Sequence, residues 1–296
     1  MIWMIEWKCR TTGLRIRSYR KNVKKKGLQI LLAGIVMVFI MPASVCWGSE
    51  SLTHDYGVFL SVTDDLDQLK DYETIVIDAQ YFTKKEIDDF KSTGGKVYSY
   101  INVGSLEEFR DYYEAYKTLA LGEYDHWEEE YWIDVSDERW LGFLIYELIP
   151  SLLQKDIDGF FVDNCDVYYQ YQTEKILDGL SEIMRFLVDT NKTVLINGGD
   201  VFLDDYCSEV GRWDDVITGI NQETVFSKIL WDGDEFGVAS QEDHEYFKEY
   251  IERYAKEGAE IYLLEYTRDK DLITNIKEYC GKQGFHYYIS DSIELD

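Results

Sequence analysis

The chain has 296 residues, with 57 Asp and Glu against 30 Lys and Arg for a formal charge of −27. That length admits one large α/β domain or two small ones, and the acidic balance excludes nucleic acid and anionic lipid as partners of the surface while favouring cationic ligands. Five cysteines and four scattered histidines (His54, His126, His244, His286) show neither a zinc spacing nor a disulfide framework.

Residues 1–48 differ in kind from the rest. Nine Lys or Arg face a single acid, Glu6, ahead of an apolar run from Leu28 to Met41 that ends in Pro42 and small residues up to Gly48. A basic segment, an apolar segment and a small-residue exit read as a secretory signal peptide. Counted through Trp47, the run reads instead as an uncleaved N-terminal anchor. Either way residues 49–296 are expected to be secreted or extracytoplasmic, touching membrane only through the N-terminal segment. On that part 21 Lys and Arg oppose 56 Asp and Glu, and three cysteines remain: Cys165, Cys207 and Cys280. At most one pair of them can bridge.

Short apolar or β-branched runs then follow in order at Tyr56–Val62, Thr74–Asp78, Lys96–Val103, Gly159–Asp163, Thr193–Asn197, Val216–Ile220, Glu260–Glu265 and Phe285–Ser290. Between most of them the spacing predicts helices over Lys84–Ser92, Leu106–Leu119, Asp137–Lys155, Glu174–Thr190, Glu242–Lys256 and Leu272–Cys280. Eight strands alternating with helices predict a single α/β domain over residues 49–296, a (β/α)8 TIM barrel. A doubly wound open sheet is the alternative, and the lack of a Gly-rich phosphate loop after the first strand counts against its nucleotide-binding form. The stretch Gly122–Asp134, rich in aromatics and acids and without regular period, is expected to lie over the mouth of the barrel.

The centre of the pattern is Asp158–Tyr168. Phe160, Phe161 and Val162 read as a strand buried on both faces, yet it ends in Asp163, Asn164 and Asp166. Packing alone does not place acids there, because an unpaired buried carboxylate costs several kcal/mol; capping of the next helix by Asp166 is the structural alternative. The other strand ends carry the same kind of residue. They supply Asp78, Tyr100 with Asn102, Asn197, the run Asn221-Gln222-Glu223, and Glu265 with Tyr266. In a barrel these groups converge on the C-terminal rim, where chemistry sits. Carboxylates among amides and tyrosines suit glycosyl transfer: one carboxyl protonates the leaving oxygen while another attacks or activates water, and amides and aromatic faces hold the sugar.

The motif Asp163-Asn164-x-Asp166-x-Tyr168 resembles the signature of glycoside hydrolase family 114. Tyr98–Tyr112, with Gly104, Glu107 and Arg110, looks like that family's strand-three motif, with Ser105 and Leu106 inserted before the acid; Trp132-Ile133-Asp134 followed by Trp140 resembles its Trp-containing segment. The resemblance implies an endo-α-1,4-polygalactosaminidase-like barrel whose catalytic pair falls on Asp163 and Glu223. Glu223, beside Thr224-Val225-Phe226, suits the general acid, and Asp163 the ionised partner. Substrate contacts are expected from Asp78, Tyr100, Asn102, Arg110, Asn164, Asp166, Tyr168, Asn197, Asn221, Glu265 and Tyr266. No metal and no cofactor are expected. The partner is a polysaccharide, a cationic amino-sugar polymer, met by a monomer. Two other readings of the residues stay open: a carbohydrate-binding barrel with weak turnover, and an esterase or deacetylase using carboxylates to hold Mg²⁺ or Ca²⁺.

Overall fold

The computed structural model describes residues 52–296 apart from 125–126, 128 and 232–234. The basic and apolar segment at residues 1–48, with the expectation of export, and His126 lie outside the described residues.

Eight strands form one parallel sheet in chain order: β1 (His54–Phe59), β2 (Tyr72–Ile77), β3 (Lys96–Asn102), β4 (Gly159–Asp163), β5 (Thr193–Asn197), β6 (Gly219–Glu223), β7 (Glu260–Tyr266) and β8 (His286–Ser290). β8 comes back beside β1, where the Phe59 and Tyr288 rings meet at 5.2 Å, so the sheet is a nearly closed (β/α)8 barrel. Its register sets Asn102 opposite Asp163 and Asn197 opposite Asn221, which brings the polar strand ends to one level.

Alternating side chains divide the apolar interior in two. Val58, Val76, Phe161, Leu195 and Leu264 fill the lumen together with Tyr56, Tyr98 and Tyr262. Ile75, Ile77, Ile101, Phe160, Val162, Ile196 and Ile220 face the surrounding helices. Those helices start where the sequence supplies a cap. Thr83 and Glu86 form a capping box before Lys84–Lys91, Thr173 caps Glu174–Asp189, Ser240 caps Gln241–Glu257, and Asp269 caps Lys270–Gln283. Cys165, Cys207 and Cys280 are unbridged.

Four expectations change. The helix expected over Leu106–Leu119 is instead a short strand, Ser105–Glu107, paired antiparallel with Glu130–Ile133, which also pairs with Ala120–Glu123; only Tyr113–Tyr116 and one tight turn stay helical. Strand pairing overrides propensity here because it buries Leu106 and Trp132. The sixth strand begins three residues later than expected, since the apolar Val216 and Ile217 belong to a turn bonded to Trp213. Asn221, Gln222 and Glu223 are therefore in β6 rather than beyond it. A helix over Asp200–Val210, interrupted by Asp204 and Asp205, carried too little periodicity to be predicted. Finally, an antiparallel hairpin, Ser227–Leu230 with Glu235–Val238, rises after β6 and takes up Gly237.

Candidate active site

At the C-terminal rim the strands enclose a cleft of about 930 Å³. Its centre is Asn197, the last residue of β5. The Asn197 Nδ2 donates to Asp163 Oδ1 at 2.9 Å and to Glu223 Oε1 at 2.7 Å. Tyr266, at the end of β7, donates its hydroxyl to Glu223 Oε2 at 2.9 Å. Below, Asn221 Nδ2 donates to Asn197 Oδ1 at 2.7 Å, and the Tyr56 hydroxyl of β1 donates to Asn221 Oδ1 at 3.1 Å. One amide thus serves two carboxylates, and a buried relay keeps it turned towards them.

This arrangement sets both distance and charge. Two oxygens held 2.9 and 2.7 Å from one nitrogen cannot stand further apart than those lengths end to end. That limit holds for the bonded oxygens, and it brings both carboxyl groups to one point of the cleft, within reach of a single glycosidic bond. Burial pushes the Glu223 carboxyl up to about 7; the charge of Asp163 adds to this, while Asn197 and Tyr266 oppose it. Asp163 is raised by burial, and hydrogen bonds from Asn197, the Asn164 backbone and Tyr100 hold it back. Burial thus raises both acids, and the charge of Asp163 bears on Glu223 in addition.

Beside this pair lies a second polar group. Asn164, at φ 65°, donates to Ser105 Oγ at 2.9 Å and Glu130 Oε1 at 3.0 Å, and accepts from the Tyr124 hydroxyl at 3.0 Å. Asn102 donates to the same two oxygens at 2.6 and 3.1 Å, and Ser105 Oγ also donates to Glu130. Burial raises Glu130 to about 7, against those donors. The turn is possible because residue 104 is glycine: a Cβ there would lie 1.7 Å from the Asn164 carbonyl oxygen. Further along the rim, Arg110 meets Asp78 at 2.5 Å and Glu107 at 2.5 Å, and the Tyr100 hydroxyl reaches Glu107 at 3.2 Å.

Of the residues singled out from the sequence, Asp78, Tyr100, Arg110, Asp163, Asn164, Asp166, Asn197, Glu223 and Tyr266 line the cleft. Four do not reach it. Glu265 is fully buried and accepts from the backbone of Phe226 and Ser227 and from the Ser227 hydroxyl, fastening the turn after β6. Tyr168 turns away to Asp205 at 2.8 Å. Asn221 lies beneath Asn197, and Asn102 is taken up by Ser105 and Glu130. Asp166 does not cap the helix that follows; its carboxylate accepts from Gly199 N at 3.3 Å, and burial with Asp200 and Asp163 raises it to about 7.

The stretch Gly122–Asp134 does lie at the mouth, where Tyr124, Trp127, Glu130 and Trp132 wall the cleft, although none of them stands out singly in the sequence; Trp231 and the tail Ile293–Leu295, which also line it, had no such signal. Glu107, which the sequence marks only through the strand-three motif, lines the cleft as well. Glu130 sits in an acidic stretch without period, where a partner's burial and not its own neighbours gives it a role. Among the described residues no group of three or more His, Cys, Asp or Glu is arranged to hold a metal ion.

Comparison with known proteins follows the same lines. The model of glycoside-hydrolase family GH114 matches residues 47–296. No curated protein matches the chain. Among solved structures, the glycoside hydrolase domain of PelA from Pseudomonas aeruginosa superposes with a TM-score of 0.66 at 15% identity, over 82% of this chain and 96% of that one. Ega3 of Aspergillus fumigatus, solved in complex with galactosamine, gives 0.64 at 15% identity over 84% and 94%. An α-galactosidase of Thermus thermophilus gives 0.53 at 9% identity over 79% and 57%. At such identities these likenesses speak for the barrel, and the family match over the whole described domain speaks for more: the chain belongs to glycoside-hydrolase family GH114 and is a glycosidase.

Proposed function

We propose that the protein is an exported, monomeric endo-glycosidase that cleaves an amino-sugar polysaccharide of the α-1,4-polygalactosamine kind, with Asp163 and Glu223 as its catalytic pair. The observation that carries this reading is the single amide nitrogen of Asn197 bonded to both carboxylates. Asp163, the ionised partner, attacks the anomeric carbon. Glu223, protonated, gives its proton to the leaving glycosidic oxygen, and a glycosyl ester to Asp163 results. Water then enters and loses a proton to Glu223 as its oxygen attacks the anomeric carbon, which breaks the ester, frees the Asp163 carboxylate and gives overall retention. Tyr266 and Asn197 hold the Glu223 carboxyl through both halves.

The substrate class follows from charge. Among the described residues, those lining the cleft include nine carboxylates and one cation, Arg110, which is already engaged by Asp78 and Glu107. Such a cleft draws in a chain bearing protonated amines and gains little from a neutral one. The galactosamine bound to Ega3 is consistent with this reading. Product analysis on de-N-acetylated and fully N-acetylated α-1,4-galactosaminans, with and without a chelator, tests it. Short amino-sugar oligomers released from the cationic polymer alone, chelator or not, are expected. Binding without products would establish a carbohydrate-binding barrel instead, and chelator-sensitive release of acetate an esterase or deacetylase.

A further inference from the structure

Two indoles stand over the cleft from strands three places apart in the barrel. Trp127 belongs to the excursion after β3, between the short strands Ala120–Glu123 and Glu130–Ile133, and Trp231 follows the first arm of the hairpin after β6. Their ring centroids are 6.1 Å apart with planes at 79°, an edge-to-face contact between two excursions that approach each other nowhere in sequence. Both line the cleft that holds Asp163 and Glu223, and each keeps 42% of its surface exposed.

Packing does not account for that exposure. The same excursion already has its packing tryptophan in Trp132, 6% exposed and tilted against Tyr124 with ring centroids 4.3 Å apart, while Trp140 lies fully buried and donates to the Val103 carbonyl at 2.8 Å. Two further indoles left half open at the mouth present apolar faces to whatever enters. A pyranose offers the matching surface, since its axial C–H groups stack on an aromatic ring while its hydroxyls stay wet, and a ring bearing a protonated amine is drawn to the same π face.

We propose that Trp127 and Trp231 form an aromatic bridge over the cleft that binds one pyranose of the polymer away from the scissile bond, so that the enzyme selects long chains over short ones. This inference rests on the glycosidase reading of the cleft and adds to it a chain-length subsite. The hydrolysis itself is untouched by the bridge; its binding energy is available to any oligomer long enough to reach it.

The test compares the full-length protein with Trp127→Ala and Trp231→Ala on de-N-acetylated α-1,4-galactosamine oligomers of graded length. For long oligomers KM is expected to rise about tenfold in either variant, with kcat within about threefold, whereas KM for the shortest cleaved oligomer moves by less than about twofold. Trp127→Phe should recover most of the loss. As a second measurement, indole emission of the Asp163→Asn protein is titrated with the longest oligomer; the change expected there should shrink when Trp127→Ala is added. Wild-type turnover with KM unchanged in both Ala variants at every length overturns the bridge and leaves the glycosidase reading standing. An inert wild type whose emission still responds through these two indoles supports the bridge and removes the proposed turnover. No turnover and no response overturns both.

Discussion

Asn221 holds Asn197 by a 2.7 Å bond from its Nδ2 to the Asn197 Oδ1, and that bond decides which end of the Asn197 amide faces the cleft. With the oxygen engaged below, the nitrogen and its two hydrogens are what remain for Asp163 and Glu223. Half a turn of the amide would set a carbonyl oxygen against both carboxylates. A residue with no exposed surface therefore orients the proposed catalytic pair.

Removing that bond is expected to cost rate more than affinity. Asn221→Ala should lower kcat about tenfold or more, the scale of a lost preorganised donor, with KM within about threefold because Asn221 touches no part of the cleft. Steady-state kinetics on the amino-sugar polymer decide it. Wild-type kcat in a folded Asn221→Ala protein would mean that Asn197 holds its own orientation.

The carboxylates themselves give the sharpest contrast. Asp163→Asn and Glu223→Gln should each lose about 10²-fold or more of turnover, since a positioned proton donor alone contributes about 10² to 10⁴-fold. Asp166→Asn is expected to keep at least about a tenth of the rate, because its carboxylate is held by backbone amides, Gly199 N at 3.3 Å among them, and not by the Asn197 amide. A dead Asp166→Asn beside an active Asp163→Asn would move the nucleophile to Asp166.

Raised carboxyls also predict how stability follows pH. Glu223, Glu130 and Asp166 sit at about 7 in the folded protein and at about 4 in the unfolded chain. Between those values the native state binds more protons, so stability falls as pH rises through this window and levels off above it. Thermal melts should show the wild type most stable near the acid end of the window. Glu223→Gln should flatten the slope and raise the melting temperature at pH 8 but not at pH 4. The kcat profile should lose activity on an alkaline limb near 7 as Glu223 gives up its proton; an unchanged alkaline limb in an active Glu223 variant would place the acid elsewhere.

Glu265 is predicted to matter for folding. Its buried carboxylate fastens the backbone amides of the half-buried Phe226 and the buried Ser227, and the Ser227 hydroxyl. Glu265→Ala strands those donors, at about 1 to 3 kcal/mol for each one left without a partner. Urea unfolding should show a loss of at least about 2 kcal/mol, against a mild effect for Glu265→Gln at low pH, where the native carboxyl is already protonated.

Much of this barrel was legible in the residues because its strands are short apolar runs bounded by polar ends. Gly159–Asp163 and Thr193–Asn197 match their predicted bounds, and Asp163 and Asn197 stand out as polar endings of runs buried on both faces. Two kinds of residue escaped. Glu107 and Glu130 gain their surroundings from the antiparallel pairing of Ser105–Glu107 with Glu130–Ile133, a contact between segments that look helical and irregular when read alone. Leu295 packs into the lumen beside Tyr56 and Tyr266, with its carbonyl accepting from Ser61 N at 3.3 Å; nothing local in Ser292–Asp296 announces a cleft wall. Glu265 failed in the opposite sense. Its position at a strand end is what the rim requires, but the neighbouring turn claims its carboxylate before the cleft can.

The relay from Tyr56 to Asn221 to Asn197 has a further consequence for when the protein becomes competent. Tyr56 comes from the first strand and Asn221 from the sixth, while Tyr266 of the seventh holds Glu223 from the other side. A growing chain possesses both acids once residue 223 is made, yet Glu223 lacks the Tyr266 hydroxyl until β7 is in place, and the relay that orients Asn197 is incomplete until Tyr56 of β1 meets Asn221 of β6. Turnover is thus the last property to arrive during synthesis or refolding, and its appearance marks ring closure more strictly than helix content does.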